Sequence, residues 1–113
     1  VETRDKAGEC GRLALSKKAG DVVMLDLSGL TEIADFFVLA SGTSERHVLT
    51  IAGAVEHDMK EKGVSPLSKE GYDEGRWIII DYGDVVVHVF LEPLRELYDL
   101  ESLWIEAKKY AVD

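Results

Sequence analysis

The chain has 113 residues, one domain's worth: enough to bury a core and too few for two independent ones. With 46% hydrophobic and 31% charged residues it falls in the globular class, and its longest apolar runs are strand-sized, short of the ~20 residues that a membrane span requires. A net charge of −9 has the wrong sign for neutralising phosphates, so direct DNA binding is not expected and a basic protein partner fits better.

The opening Val1-Glu2-Thr3-Arg4-Asp5-Lys6 has no basic start followed by an apolar core and a small-residue cleavage site, so a cytoplasmic location is the expectation. Residues 5–18 place Ala7, Cys10, Leu13 and Ala14 at helical spacing and predict a first helix ending near Ala19-Gly20, with Gly20 in the left-handed capping conformation. Gly8 and Gly11 weaken that helix by about 1 kcal/mol each relative to alanine. Cys10, the single cysteine, cannot form an internal disulfide and reads as a small apolar residue of this helix. Val22 to Leu27 (VVMLDL) and Phe36 to Gly42 (FFVLASG) predict strands, joined by a connection short enough for antiparallel neighbours.

From Ser44, the apolar stripe Val48, Ile51, Ala52, Val55 and Met59 predicts a second helix, capped by Thr43 or Ser44 and ending before Gly63. PLSKEGYDEG reads as a short edge strand or loop. RWIIIDYGDVVVHVFL then predicts two strands, about 76–82 and 84–91, closed by a tight hairpin in which Gly83 supplies positive φ. Near-continuous apolar runs belong to strands covered on both faces, so helices are expected above and below the sheet. Pro93 suits a first helical turn, after which Leu94, Leu97, Leu100 and Trp104 recur at helical spacing as a broken C-terminal helix. Lys17-Lys18, Lys60, Lys62 and Lys108-Lys109 are expected at helix ends. The fold class is α/β: a three-layer αβα domain over 1–113 with a mixed sheet of about five strands.

Few residues point to a reaction. Asp81 and Asp84 flank Tyr82-Gly83, and Ser41 to Ser44 (SGTS) lead from a strand into a helix. Together they form a faint version of a metal-dependent nucleotidyltransferase or phosphohydrolase site. No phosphate loop, GxGxxG or Asp-x-Asp pair accompanies them, and SGTS reads more readily as a helix cap after a turn. His47 and His57 are too far apart along one helix to share a metal and read as surface residues. His88, opposite in facing to Val87 and Val89, reads as a hydrogen-bonded structural histidine. No metal, cofactor or catalytic residue is therefore assigned. Trp77 and Tyr82 frame the acidic hairpin, while Tyr98 and Trp104 belong to the C-terminal run; aromatics ringed by charge are what interfaces favour, although Trp77 and Trp104 could equally be core. The hairpin acids read as a docking feature.

GLTEIADFFVLASGTSERHV, WIIIDYGDVVVHVF and RELYDLESLW, in this order and spacing, closely resemble the ribosomal silencing factor (RsfS) family, also called Iojap or YbeB proteins, from about Leu13 to Trp104. The resemblance implies an αβα fold similar to nucleotidyltransferases without their catalytic carboxylates, and a homodimer in the free state. It implies binding to the large ribosomal subunit through its ribosomal protein number fourteen, where it blocks joining of the small subunit and represses translation under nutrient limitation. The docking surface it implies maps to Trp77, Asp81, Tyr82, Gly83 and Asp84, with Arg95, Tyr98, Leu100, Glu101 and Trp104 as a second group supporting that surface or the dimer. IEAKKYAVD, past Trp104, matches no block of the family and is assigned no role. An adaptor for some other basic protein is the remaining class, separable by whether the protein ignores ribosomes.

Overall fold

Small and apolar residues at helical spacing form α1 (Thr3–Ser16), which buries Ala7, Cys10, Gly11, Leu13 and Ala14 in the computed structural model. The structure describes residues 3–112; Val1, Glu2 and Asp113, at the ends of the expected domain, lie outside the described residues. The helix ends in a Schellman motif, with Lys18 N–H on the Leu15 carbonyl and Ala19 N–H on the Ala14 carbonyl. Lys18 takes the left-handed conformation, at φ 63°, that the sequence reading gave to Gly20. Gly20 instead opens β1 (Gly20–Asp26). A side chain pays about 1–2 kcal/mol for that φ. Lys18→Gly is therefore expected to stabilise the protein by about 1 kcal/mol, read as a melting temperature about 4–8 °C higher.

β2 (Phe36–Gly42) runs antiparallel to β1 and is followed by α2 (Glu45–Glu61). Ser44 caps α2 by accepting from the His47 N–H, and Gly63 closes it at φ 82°. After the edge strand β3 (Ser68–Glu70), β4 (Trp77–Asp81) and β5 (Val85–Leu91) form the expected hairpin, with Gly83 at φ 90° in its two-residue loop. α3 (Glu92–Tyr98) begins with Pro93 in its first turn and breaks at Asp99, whose φ of 46° separates it from α4 (Leu100–Leu103).

The chain finishes in β6 (Lys108–Ala111), antiparallel to β1. The described residues thus make one mixed sheet of six strands, in the order β3-β4-β5-β2-β1-β6, rather than about five. Lys108 and Lys109 belong to an edge strand, not to a helix end as the sequence reading has it. The run KKYA lacks the apolar alternation of an interior strand, because an edge strand carries charge against unwanted pairing. Gly11, a weak point of α1 by propensity, lets this end of the chain close: a Cβ there would lie 3.0 Å from a Val112 methyl.

Strand alternation sorts the core into two clusters. Val22, Met24, Phe36, Val38, Ala40, Ile78, Ile80, Val85, Val87 and Val89 meet α1 and α2 on one face. Val23, Leu25, Phe37, Leu39, Val86 and Phe90 face the other way, beneath Leu94, Leu100 and Trp104. The three layers are therefore unequal, since α3 and α4 are too short to cover their whole face. No helix among the described residues is long and apolar enough to cross a membrane.

Candidate functional site

The hairpin does not present the acidic knob that the sequence reading expects. Tyr82 is buried, 6% exposed, within the cluster under α1 and α2, because Trp77, Ile79 and Asp81 share the opposite face and period-2 alternation turns Tyr82 inward. Asp84 is claimed by α1: Lys6 Nζ donates to it at 2.7 Å and Thr3 Oγ1 at 2.9 Å. Burial alone raises its pKa, but the bonds from Lys6 and Thr3 outweigh that and hold the carboxyl below its ordinary value. Asp81 accepts the Gly83 N–H at 2.7 Å and so fastens the turn. Of the first expected group, Trp77, Asp81, Gly83 and Asp84 stay partly exposed, Asp84 with its carboxylate held by α1, while Tyr82 serves the fold.

The strand-to-helix turn is likewise structural. Gly42 sits where a Cβ would come within 2.9 Å of the Val48 nitrogen, so glycine lets α2 start this close to β2. His47 accepts the Thr43 N–H on Nδ1 and lies 2.8 Å from the Lys17 carbonyl through Nε2, tying the end of α1 to the start of α2. β2 and β5 are parallel, pairing Phe36 with Val85 and Gly42 with Leu91. Ser41–Ser44 and the hairpin acids therefore lie at opposite ends of the sheet, roughly 20 Å apart at strand rise, and do not form one site. Among the described residues no group of three or more His, Cys, Asp or Glu could hold a metal.

What the sheet does present is an aromatic cleft on the thinly covered face. Trp77 stacks on Phe90 at 4.9 Å and meets Tyr98 at 4.8 Å between ring centroids. The indole N–H donates to His88 Nδ1 at 3.1 Å, which fixes the ring. His88 is buried, and its pKa is pushed down by desolvation to about 4. Gly71, Asp73, Glu74, Arg76, Trp77, Leu94 and Tyr98 line a cleft of about 430 Å³. Ile79 and Asp81, also partly exposed, continue the stripe along β4.

The second expected group divides between contact and support. Tyr98 is 53% exposed and Leu97 72%. Helical spacing had placed Leu97 with the cover, but the break at Asp99 leaves it pointing outward. Arg95 is buried, donating to Ser41 Oγ at 2.9 Å and to Glu101 at 3.1 Å, and Lys109 reaches the other Glu101 oxygen at 2.8 Å. This relay fastens α3 and α4 to β2 and β6. Desolvation is the largest influence on Glu101 and raises its pKa, yet the bonds from Lys109 and Arg95 prevail and lower it. Leu100 and Trp104 pack into the cluster beneath. Sequence reasoning missed Ile79, whose period-2 relation to Trp77 and Asp81 could have found it, and the exposed Leu103 and Ile105, which followed no apolar pattern.

Comparison with known proteins converges on one group. The family model described as "Ribosomal silencing factor during starvation" matches residues 1–113. A ribosomal silencing factor of Halalkalibacterium halodurans is 46% identical over 91 residues, 80% of this chain and 78% of that protein. A crystal structure of a Chromobacterium violaceum protein superposes with a TM-score of 0.89 at 36% identity, over 92% of this chain and 87% of that one. A more distant mouse relative, named for mitochondrial assembly of the ribosomal large subunit, is 32% identical over 96 residues, 81% of this chain and 42% of its own length.

Proposed function

The chain belongs to the family of ribosomal silencing factors, and from that premise we propose that it docks on the large ribosomal subunit through ribosomal protein number fourteen. There it stands where the small subunit would join and represses translation under nutrient limitation. The observation that carries the reading is the Trp77–Tyr98 cleft: a pre-packed aromatic pair, open to solvent and bordered by Asp73, Glu74 and Arg76, with the partly exposed Asp81 farther along β4. Aromatic centres with a charged rim are the usual anatomy of an interface that concentrates its binding energy in a few residues. The acids and the net charge of −9 fit a basic ribosomal protein, because complementary fields speed encounter and set orientation.

Within this reading Trp77 and Tyr98 touch the partner, Asp81 and Gly83 lie at the rim, and Arg95, Leu100, Glu101 and Trp104 hold the surface in place. Tyr82 and Asp84 act at one remove, by setting the hairpin. The implied kinship to nucleotidyltransferases is one of fold alone in this reading: no cluster of metal-binding carboxylates occurs among the described residues, and no bond is made or broken. The protein is a cytoplasmic homodimer when free and acts by occupying space.

Pelleting with purified large subunits tests this. Tyr98→Ala combined with Glu74→Lys changes two exposed side chains and should lower the melting temperature by only a few degrees, from the lost Trp77 contact, while weakening co-sedimentation at least 10-fold, as loss of about 2 kcal/mol at a hot spot requires. Pelleting equal to that of the native chain would remove the cleft from the docking surface.

A further inference from the structure

We propose that the outer edge of β6, with the cationic groove between β6 and α1, receives an extended peptide segment carrying acidic side chains at alternate positions, added as a seventh strand. The proposal stands apart from the ribosomal reading and uses the opposite edge of the sheet from the aromatic cleft.

Among the described strands β6 pairs only with β1, so its other edge is open. Val112 N–H donates to the Val22 carbonyl at 2.9 Å, and Tyr110 pairs with Met24. Antiparallel alternation then turns the N–H and C=O of Lys109 and Ala111 away from β1, toward an incoming strand. Strand addition at such an edge takes its affinity from backbone hydrogen bonds and its specificity from alternate side chains.

The specificity is written on the α1 side. Arg4, Gly8 and Arg12 recur four residues apart along one flank of α1 and line, with Asp5, Met24, Tyr110, Ala111 and Val112, a groove of about 380 Å³. The Arg4 guanidinium sits 4.7 Å above the Tyr110 ring, and Arg12 is held beside Glu9 at 3.1 Å. Gly8 leaves the space between the two arginines empty of side chain, its absent Cβ falling 3.4 Å from the Arg12 guanidinium. Lys108 shares the strand face of Tyr110. In a chain of net charge −9, three cations thus gather along four residues of open strand, against Asp5 in the groove lining and Glu9, which pairs with Arg12. Lysines on an edge strand commonly repel other sheets. Here, with the arginines beside them, they select a strand whose alternate residues are anionic and refuse apolar or basic ones.

A fluorescein-labelled octapeptide of alternating Glu and Val tests the proposal by anisotropy and by amide shifts of the 15N-labelled chain. The expected result is saturable binding with shifts centred on Lys109 and Ala111. Arg4→Ala with Arg12→Ala should weaken it at least 10-fold. An octapeptide N-methylated at alternate amides should not bind the native chain, a control that needs no variant to fold. No saturable binding, or equal binding of the N-methylated peptide, overturns the proposal. Displacement of the peptide by an oligouridylate at the same amides overturns it in favour of nucleic acid.

Discussion

Gly71→Ala is expected to destabilise the protein by about 4 kcal/mol, read as a lowered urea midpoint at constant slope. Gly71 sits at φ +91°, and a Cβ there would lie 2.0 Å from the Trp77 carbonyl oxygen and 3.0 Å from its carbon. Both are backbone atoms at the first residue of β4, so no rotamer change relieves the overlap and the strand itself must move. Two other glycines separate the contributions. Gly29 has φ +83° with nothing within 4 Å of its missing Cβ, so Gly29→Ala meets only the conformational cost of about 1–2 kcal/mol. Gly53 lies inside α2 with equal space and ordinary φ, so Gly53→Ala gains about 0.5–1 kcal/mol. If Gly71→Ala costs no more than Gly29→Ala, the backbone collision is not what the site pays for. Displacing β4 also carries the Trp77 indole away from Tyr98, so the same substitution should weaken docking on large subunits in whatever fraction stays folded.

The parts of this fold that were legible in the sequence are those whose signal is local and repeated. Val48, Ile51, Ala52, Val55 and Met59 are all buried on α2, and Phe36–Gly42 is a strand to the residue, because a strong apolar period ends in plain turn chemistry. β6 was illegible because its four residues carry the charge of an edge and no alternation. Tyr82 was legible in principle, since Trp77, Ile79 and Asp81 claim the other face of β4, but the turn beside it drew attention to exposure. The partner of Asp84 was not legible at all: Lys6 lies 78 positions away, and only the packing of α1 under the hairpin brings them together. The same holds for Arg95 and Ser41, 54 positions apart. The proposed docking surface therefore keeps Trp77, Tyr98 and Asp81, loses Tyr82 and Trp104 to the core, and has Asp84 engaged by α1. Side chains that a tertiary ion pair captures are no longer available to a partner, and pattern alone does not say which those are.

Acidifying the solution should test the other buried element beneath that surface. Trp77 donates to Nδ1 of His88, so neutral His88 carries its proton on Nε2, which is buried with no hydrogen-bond partner among the described residues. A second proton would have to displace the indole bond and place a charge in an apolar layer, and desolvation accordingly holds the pKa at about 4 against roughly 6.5 in the unfolded chain. The folded value is depressed, so the unfolded state takes up the proton first. Stability should fall as pH drops from about 6.5 to about 4, by about 1.4 kcal/mol per unit and about 3 kcal/mol in all. Asp84 and Glu101, whose pKa values are lowered, contribute stability that is complete above the unfolded carboxylate values and is lost only as pH falls below those toward their folded ones. The interval from pH 6.5 to 5 therefore reports His88. Urea unfolding across it should show about 2 kcal/mol of loss in the native chain and a flat profile in His88→Gln, which keeps an acceptor for Trp77 but cannot titrate. The same slope in both proteins would mean that another group carries the proton, and that the His88–Trp77 bond does not set how acid loosens the proposed docking face.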